Sequence, residues 1–393
     1  MNLYKLYEAV HLLKKCFIIG IFVVSVLSLV IPSNGMIQIN HYESKIVSRD
    51  VLYVGGLGPN NFTKIQDAIS NATEGDTVFV YDDSSPYYEH VIIDVSIDFI
   101  GENKTTTIID GENSGDVVVF DADNISMTGF TVQHSGNNPK IDAGIESLSN
   151  GNLITGNNII HNGEYAIGIL LNGSSETVVE NNYISENGNE GIFLENATYC
   201  VMRKNEITHN GHCAIVISQS TANTVINNIM CENYATVSLW PGAIENEIAW
   251  NLMAKQEFSG VGIWPGAHQN YIHDNYLSNN SLYGFLITRA NGNIIANNTI
   301  WGSNEGMHLI MANSTIVRFN NFIGNNVSIF FENCSLNRWK RNYWDDHRGI
   351  FPKCIWGIIR IPWNKKVVIR WVNLDWFPAV TPYDIPRTDE GFS

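Results

Sequence analysis

Two short stretches carry the side chains best suited to holding a ligand. Leu239-Trp240-Pro241-Gly242-Ala243 and Ile263-Trp264-Pro265-Gly266-Ala267 are near duplicates, 24 residues apart. An indole offers a broad apolar face and one polar N–H, which suits the face of a sugar ring. If Val237, Leu239, Val261 and Ile263 point into a core, strand alternation turns Trp240 and Trp264 outward. Glu195, Ser218 and Thr288 fall on the same column, with Arg289 one step further on. Trp240, Trp264, Glu195 and Arg289 therefore read as a carbohydrate-binding face. The competing reading is that both indoles pack under a loop.

A second group is Thr208-His209-Asn210-Gly211-His212-Cys213, with Cys231 one repeat later. Imidazole and thiolate suit a soft metal such as copper. The spacing of His209, His212, Cys213 and Cys231 follows no strong metal motif, and histidines in turns are usually only solvated, so no metal is assigned. Catalysis is less legible still. Glycoside hydrolysis needs two facing carboxylates at a set separation. The acids Glu164, Glu186, Glu190, Glu195, Glu206, Glu232, Glu245, Glu247, Asp274 and Glu305 are scattered, and no pair recurs on one outward column. Glu180 and Arg203 fall at one repeat position and read as a cross-strand ion pair. His273, Asp274 and Arg289 form at most a small polar site.

These side chains need a scaffold that repeats. Asn157-Asn158-Ile159-Ile160, Asn181-Asn182-Tyr183-Ile184, Lys204-Asn205-Glu206-Ile207 and their successors run to Arg341-Asn342-Tyr343-Trp344. The second Asn recurs at 158, 182, 205, 228, 251, 275, 298, 321 and 342. A fixed period of this kind is the mark of a solenoid. Each period holds two further apolar runs, such as Gly191-Ile192-Phe193-Leu194 and Thr224-Val225-Ile226. Three short β-rich runs per repeat, parted by Asn and Gly, describe one coil of a parallel β-helix. Coils stack about 4.8 Å apart, which sets equivalent residues over one another. The residues two past each Asn are Ile160, Ile184, Ile207, Met230, Met253, Leu277, Ile300, Ile323 and Trp344, an expected inward stack. Asn itself tolerates left-handed backbone angles, and stacked amides can bond each other along the axis.

The chain has 393 residues and a formal net charge of −16. Nucleic-acid binding needs a basic footprint, so that class is excluded. Residues 1–35 read as an export signal, with Lys5, Lys14 and Lys15 before an uncharged run and Ser33 and Gly35 after it. It is either cleaved or retained as an N-terminal membrane anchor, and the expected location is secreted or cell-surface. Asn-x-Ser/Thr triplets, among them Asn61, Asn103, Asn196 and Asn313, fit an exported glycoprotein. The five cysteines beyond Cys16 form no regular disulfide frame.

Residues 36–50 read as a linker and 51–136 as an N-terminal cap with irregular coils. A capping-box pattern at Thr63-Lys64-Ile65-Gln66 opens a helix over 63–73 that covers the raw end of the solenoid. Strands are expected at 77–81, 91–94, 97–100, 107–109, 117–120 and 125–132. Regular repeats fill 137–345. Residues 346–393 form a second cap, with a hairpin from 358–361 and 367–372. Trp339, Trp344, Trp356, Trp363, Trp371 and Trp376 crowd this end, as do Arg338, Lys340, Arg341, Arg348, Lys353, Arg360, Lys365, Lys366 and Arg370.

The front segment, Phe62-Thr63-Lys64-Ile65-Gln66-Asp67-Ala68-Ile69 through Gly75-Asp76-Thr77-Val78-Phe79-Val80, with Phe99-Ile100-Gly101-Glu102, resembles the opening of pectin-lyase-like right-handed β-helix proteins. The Asn-Asn and Gly-Ile repeats resemble the NosD-like carbohydrate-binding and sugar-hydrolysis group. The tail, Asn342-Tyr343-Trp344-Asp345-Asp346 with Asp375-Trp376-Phe377-Pro378-Ala379, resembles exported β-helix proteins of archaea. The resemblance covers residues 51–385. It implies an all-β, single-stranded right-handed parallel β-helix with three strands and about 23 residues per coil. For function it implies less, since this fold hosts lyases, hydrolases, epimerases and plain binders. Lyases of the fold combine Ca²⁺-binding carboxylates with a basic residue, and the NosD-like group is copper-linked, so Ca²⁺ and copper are the only cofactors in view. The leading expectation is an exported protein that binds a polysaccharide or other glycan through an outward face. A polysaccharide lyase or glycoside hydrolase, a structural or adhesive stalk, and a copper-linked protein are the alternatives.

Overall fold

Each coil is built from three short strands, and each strand pairs in parallel with its counterpart one repeat later. Val178–Glu180 pairs with Val201–Arg203, Tyr183–Ser185 with Glu206–Thr208, and Ile192–Glu195 with Cys213–Ser218. The pairings extend into three sheets of 13, 13 and 12 strands. This is the all-β parallel β-helix, three strands per coil, that the repeats require. The computed structural model describes residues 49–139, 141–349, 351–361 and 364–385. The expected export segment and nearly all of the linker lie outside the described residues.

The strands form because apolar residues alternate with polar ones and sharp bends interrupt them. In the first sheet the inward column runs Ile154, Val179, Met202, Val225, Ile248, Ile272, Ile295 and Val317, all fully buried. In the third sheet it runs Ile159, Ile184, Ile207, Met230, Met253, Leu277, Ile300, Phe322 and Trp344. Burying each such side chain contributes about 1.5–3 kcal/mol. Strands of the second sheet are mostly longer, and each sends two residues inward, such as Val237 with Leu239 and Val261 with Ile263. Between those inward positions lie outward positions on a broad face, and the candidate site is there.

The asparagine ladder is real, with two corrections. Amide nitrogens donate to the next amide oxygen from Asn182 to Asn205, to Asn228, to Asn251, to Asn275 and to Asn298, at 2.9–3.1 Å. The line begins at Asn157 rather than Asn158, and its eighth rung is Asn320 rather than Asn321. The inward residues there are accordingly Ile159 and Phe322, and Ile160 and Ile323 are only half-buried. The left-handed backbone falls on the residue before each rung, as at Asn181, Lys204, Asn227 and Trp250, with φ of 55–57°. That residue makes the bend, while the rung must aim its amide inward.

Each rung also bonds backbone: Asn228 donates to the carbonyls of Met202 and Ile226 and accepts from the Asn205 N–H. Two further ladders run along other bends. One links Asn162, Asn187, Asn210 and Asn233, and the other links Asn223, Asn246, Asn270 and Asn293.

The end structures differ from expectation in their chemistry. The front helix spans Ile65–Asn71, and Lys64 at its cap position makes no side-chain capping bond. Instead Glu89 accepts from the N–H groups of Ile65 and Gln66, at 2.9 and 3.0 Å. Gln66 spends its side chain on the backbone of Ile92, so no capping box forms. One carboxylate satisfies two donors and suits the positive end of a helix. The early strands follow the expected order, with the stretch 125–132 split into Ser126–Thr128 and Thr131–Gln133 and one further strand at Tyr87–Tyr88.

At the far end Lys353–Ile361 pairs antiparallel with Asn364–Asp375, a longer hairpin than expected. Its Trp356 and Trp371 are exposed, as is Trp376 just beyond it, whereas Trp339 and Trp344 are buried. Trp363 lies outside the described residues. The ladder itself is stopped by Asp375, fully buried, whose carboxylate accepts from the N–H groups of Arg341 and Asn342 and from the Asn342 amide.

Candidate functional site

The two Trp-Pro-Gly-Ala stretches follow the second-sheet strands Ala235–Leu239 and Ser259–Ile263. Each is a tight turn in which the Ala N–H donates to the Trp carbonyl at 3.0 Å. Proline sits second, and Gly242 and Gly266 sit third with φ of +80° and +91°, the left-handed angle a type II turn demands. Leu239 pairs with Ile263, so Trp240 and Trp264 occupy successive rungs of one outward column. Glu195 pairs with Ser218 on that column, as expected.

The indoles do not stand clear as a flat platform. Both are half-buried and lean back over the sheet. Gly262 leaves a gap in the middle of its strand, and the Trp264 Nε1 fills it: a Cβ there would meet that atom at 3.0 Å. Trp240 packs on an apolar cluster that includes Leu170, Phe193 and Val216. It meets the ring of Phe193 edge-on at 5.8 Å and that of His212 at 6.5 Å.

Two cavities result, and Trp240 and Pro241 wall both. One, of about 390 Å³, is lined by His212, Cys213, Ser238, Ser259 and Trp264, with the edges of Tyr234 and Phe258. The other, also about 390 Å³, is lined by Asn172, Phe193, Glu195, Ser218 and Gln219. Beside the first cavity His212 stacks on Tyr234, and Tyr234 on Phe258 at 5.2 Å with planes 1° apart. Those ring faces are spent on one another, which leaves edges for a ligand.

The first cavity holds polar groups with nothing to bond. The Ser259 hydroxyl and the Trp264 indole N–H are buried without a partner. Behind them Glu190 is 1% exposed; one carboxylate oxygen holds His212 Nδ1 at 3.1 Å and the other has no partner. Hydrogen bonding to the Cys213 thiol, and then to Glu190, raises the His212 imidazole from its ordinary 6.5 to about 10. A thiol, an imidazole and a carboxylate in sequence are the parts of a nucleophilic relay. Here Cys213 is 1% exposed and its thiol is bonded to Ser238 at 3.3 Å, so it is packed rather than presented.

The other sequence candidates are dispersed. Arg289 sits on a left-handed bend with Nε on the Met311 sulfur at 3.4 Å, and it lines neither cavity. His209 pairs with Glu232 at 2.8 Å just past a third-sheet strand, and Cys231 lies in that sheet beside Thr208, while His212 and Cys213 lie on the second. His273 bonds Asp274 and Glu247 and stacks on Tyr271, without Arg289. Glu180 and Arg203 do form the expected ion pair. One cluster escaped the sequence reading. Asp116 is pushed up to about 7, first by burial and further by Glu146 and Asp142. It lies in the irregular coils, where no period signals who meets whom.

The three-sheet architecture and the aromatic cavity define a parallel β-helix that carries its candidate site on an outward sheet face. A family model described as "Periplasmic copper-binding protein (NosD)" matches residues 66–259 and 243–350, and the chain belongs to that family. Among curated proteins none matches the chain. Among solved structures it is similar to the A-module of a mannuronan C-5 epimerase from Azotobacter vinelandii, at 13% identity and TM-score 0.59, covering 71% of this chain and 87% of that one. It is also similar to a DFA-IIIase from Arthrobacter chlorophenolicus without its lid, at 12% identity and TM-score 0.54, covering 75% and 94%. An alginate lyase from a Paenibacillus gives 14% identity and TM-score 0.51, covering 62% and 94%. At such identities the likeness is one of fold.

The donor set decides whether the copper of the family description has a place here. Among the described residues no group of three or more His, Cys, Asp or Glu side chains is arranged to hold a metal ion. His212 and Cys213 supply two soft donors, and His209 and Cys231 are on a different sheet. The described residues therefore do not fit a closed copper centre. Among them, too, no helix is long and apolar enough to cross a membrane.

Proposed function

We propose that this chain is an exported carbohydrate-binding protein whose ligand lies across the two cavities that share Trp240. The observation that carries the reading is the buried Ser259 hydroxyl and Trp264 N–H, both unpartnered and both lining an aromatic cavity. Buried polar groups are nearly always bonded, and an orphan costs about 1–3 kcal/mol unless something binds it. A pyranose ring offers hydroxyls for those groups and an apolar face for the indoles. Cavities in line along the sheet suit a chain of sugars better than one ring. The carbohydrate-related names of the structural neighbours are consistent with this, and the family description supports a periplasmic or otherwise exported setting. Trp240, Trp264 and Glu195 are the proposed contacts; Arg289 is in neither lining and is left out.

The test is glycan-array screening followed by calorimetry on the purified chain. Binding that is lost in Trp240→Ala and in Trp264→Ala supports the reading. Binding that survives both substitutions removes the site. Release of reducing ends or unsaturated uronates from any bound polysaccharide would move the protein to the hydrolases or lyases.

A further inference from the structure

The charge lining the two cavities points to the kind of sugar. Neither lining contains a lysine or an arginine. Recognition of a carboxylate sugar uses cationic forks or ammonium groups, and none is present. Arg289, one residue past the column position Thr288, has its Nε on the Met311 sulfur. In the second cavity the Glu195 carboxylate has no hydrogen-bond or ion-pair partner among the described residues, although it is partly buried. Next to it Asn172 donates its amide to Glu146, a further acid behind the same wall. The one lining side chain that can carry a positive charge is His212 of the other cavity, already engaged by Glu190. An unpaired, half-desolvated carboxylate beside an indole and a phenyl ring repels an anionic sugar. It attracts an ammonium, which also favours the face of an aromatic ring.

We propose that the paired cavities select an oligosaccharide of amino sugars bearing free ammonium groups, with one ammonium set against Glu195, and that they reject uronates. This rests on the carbohydrate reading above and narrows it. Trp240 and Phe193 provide the apolar walls, while Ser218 and Gln219 meet ring hydroxyls. The formal charge of −16 draws a cationic chain toward the surface, and Glu195, the one carboxylate in the two linings, fixes one amine in place.

The experiment compares three probes of equal length by calorimetry on the full purified chain: a glucosamine oligosaccharide, its fully N-acetylated counterpart, and a mannuronate oligosaccharide. It is run at about 0.3 M salt, where attraction between exposed charges is largely screened. The expected result is glucosamine binding at least ten-fold tighter than the acetylated probe, with no measurable binding of mannuronate. Glu195→Gln should erase that preference, bringing the glucosamine and acetylated probes within about two-fold of each other. Mannuronate binding as tight as glucosamine, or a preference unchanged in Glu195→Gln, overturns the proposal. Equal binding of the acetylated probe that Trp240→Ala abolishes overturns it too, while leaving the carbohydrate reading intact. Absence of binding by every probe and across a glycan array overturns both.

Discussion

The three amide ladders and the cavity beside Trp264 are built on the same coils and treat polar groups in opposite ways. Along the ladders most buried amides are bonded both to the next rung and to backbone, as Asn228 is to Asn251, Met202 and Ile226. A few residues away, Ser259 Oγ, Trp264 Nε1 and one oxygen of Glu190 are buried with nothing to bond. A closed network carries stability, and an open one leaves donors and acceptors available to a ligand. The comparison predicts that substitutions on the two sides have opposite signatures: ladder changes cost folding, and cavity changes cost binding.

The largest effect belongs to the ladder. Asn228→Leu removes an acceptor for the Asn205 N–H and a donor to the Met202 carbonyl, both buried, and a donor to the half-buried Ile226 carbonyl. With each orphaned group costing about 1–3 kcal/mol, stability should fall by about 4 kcal/mol in denaturant titration. Ligand affinity per folded molecule should not change. A ladder variant that folds as well as the wild type would break the contrast at its strong end. Trp240→Ala is next. It takes away the wall shared by both cavities, and an aromatic anchor of that kind typically contributes about 2–3 kcal/mol to binding. Affinity should drop about 100-fold in calorimetry, well beyond the effect of any ladder change.

The pH dependence sharpens the comparison further, because the amide rungs themselves do not titrate and the cavity has His212. Its imidazole is held at about 10, above the ordinary 6.5, by Cys213 first and Glu190 second. A raised value means the folded state binds the proton more tightly than the unfolded chain does. That stabilisation is fully present below pH 6.5 and is lost as pH rises through about 10. Melting temperature should therefore fall between those limits, and His212→Gln should flatten the decline. The side chain is 38% exposed, so solvent screening keeps the effect smaller than a buried pair would give. A decline that persists unchanged in His212→Gln would assign it to another group.

How much of this was legible depends on whether a feature repeats. The coil, the three strands and the outward column of Trp240 and Trp264 follow from period and alternation alone. The register slipped only at Asn157-Asn158 and Asn320-Asn321, where both members of the doublet are Asn and the sequence cannot say which one faces in. The second ladder was available in principle, since Asn187 and Asn210 keep the same spacing as Asn182 and Asn205. Non-periodic partners were not: Asp375 closes a ladder from 33 residues beyond Asn342, and Glu89 caps a helix from 24 residues beyond Ile65. The lean of the two indoles was also hidden, because it depends on a missing side chain at Gly262 and on the cluster around Phe193.

The smallest effect tests the unpartnered donor itself. Trp264→Phe keeps an aromatic ring over Gly262 and deletes only the indole N–H and part of the ring edge. In the free protein that N–H is buried and bonds nothing, so its loss removes a desolvation penalty. Stability should stay level or rise by up to about 1 kcal/mol, which is unusual for a change at a half-buried tryptophan. Ligand affinity should fall in the same variant, by less than ten-fold, because the donor finds its acceptor only in the complex. The two signs together are the diagnostic. If stability and affinity fall in parallel, Trp264 is ordinary packing, and the distinction between a closed ladder and an open cavity loses its best-placed residue.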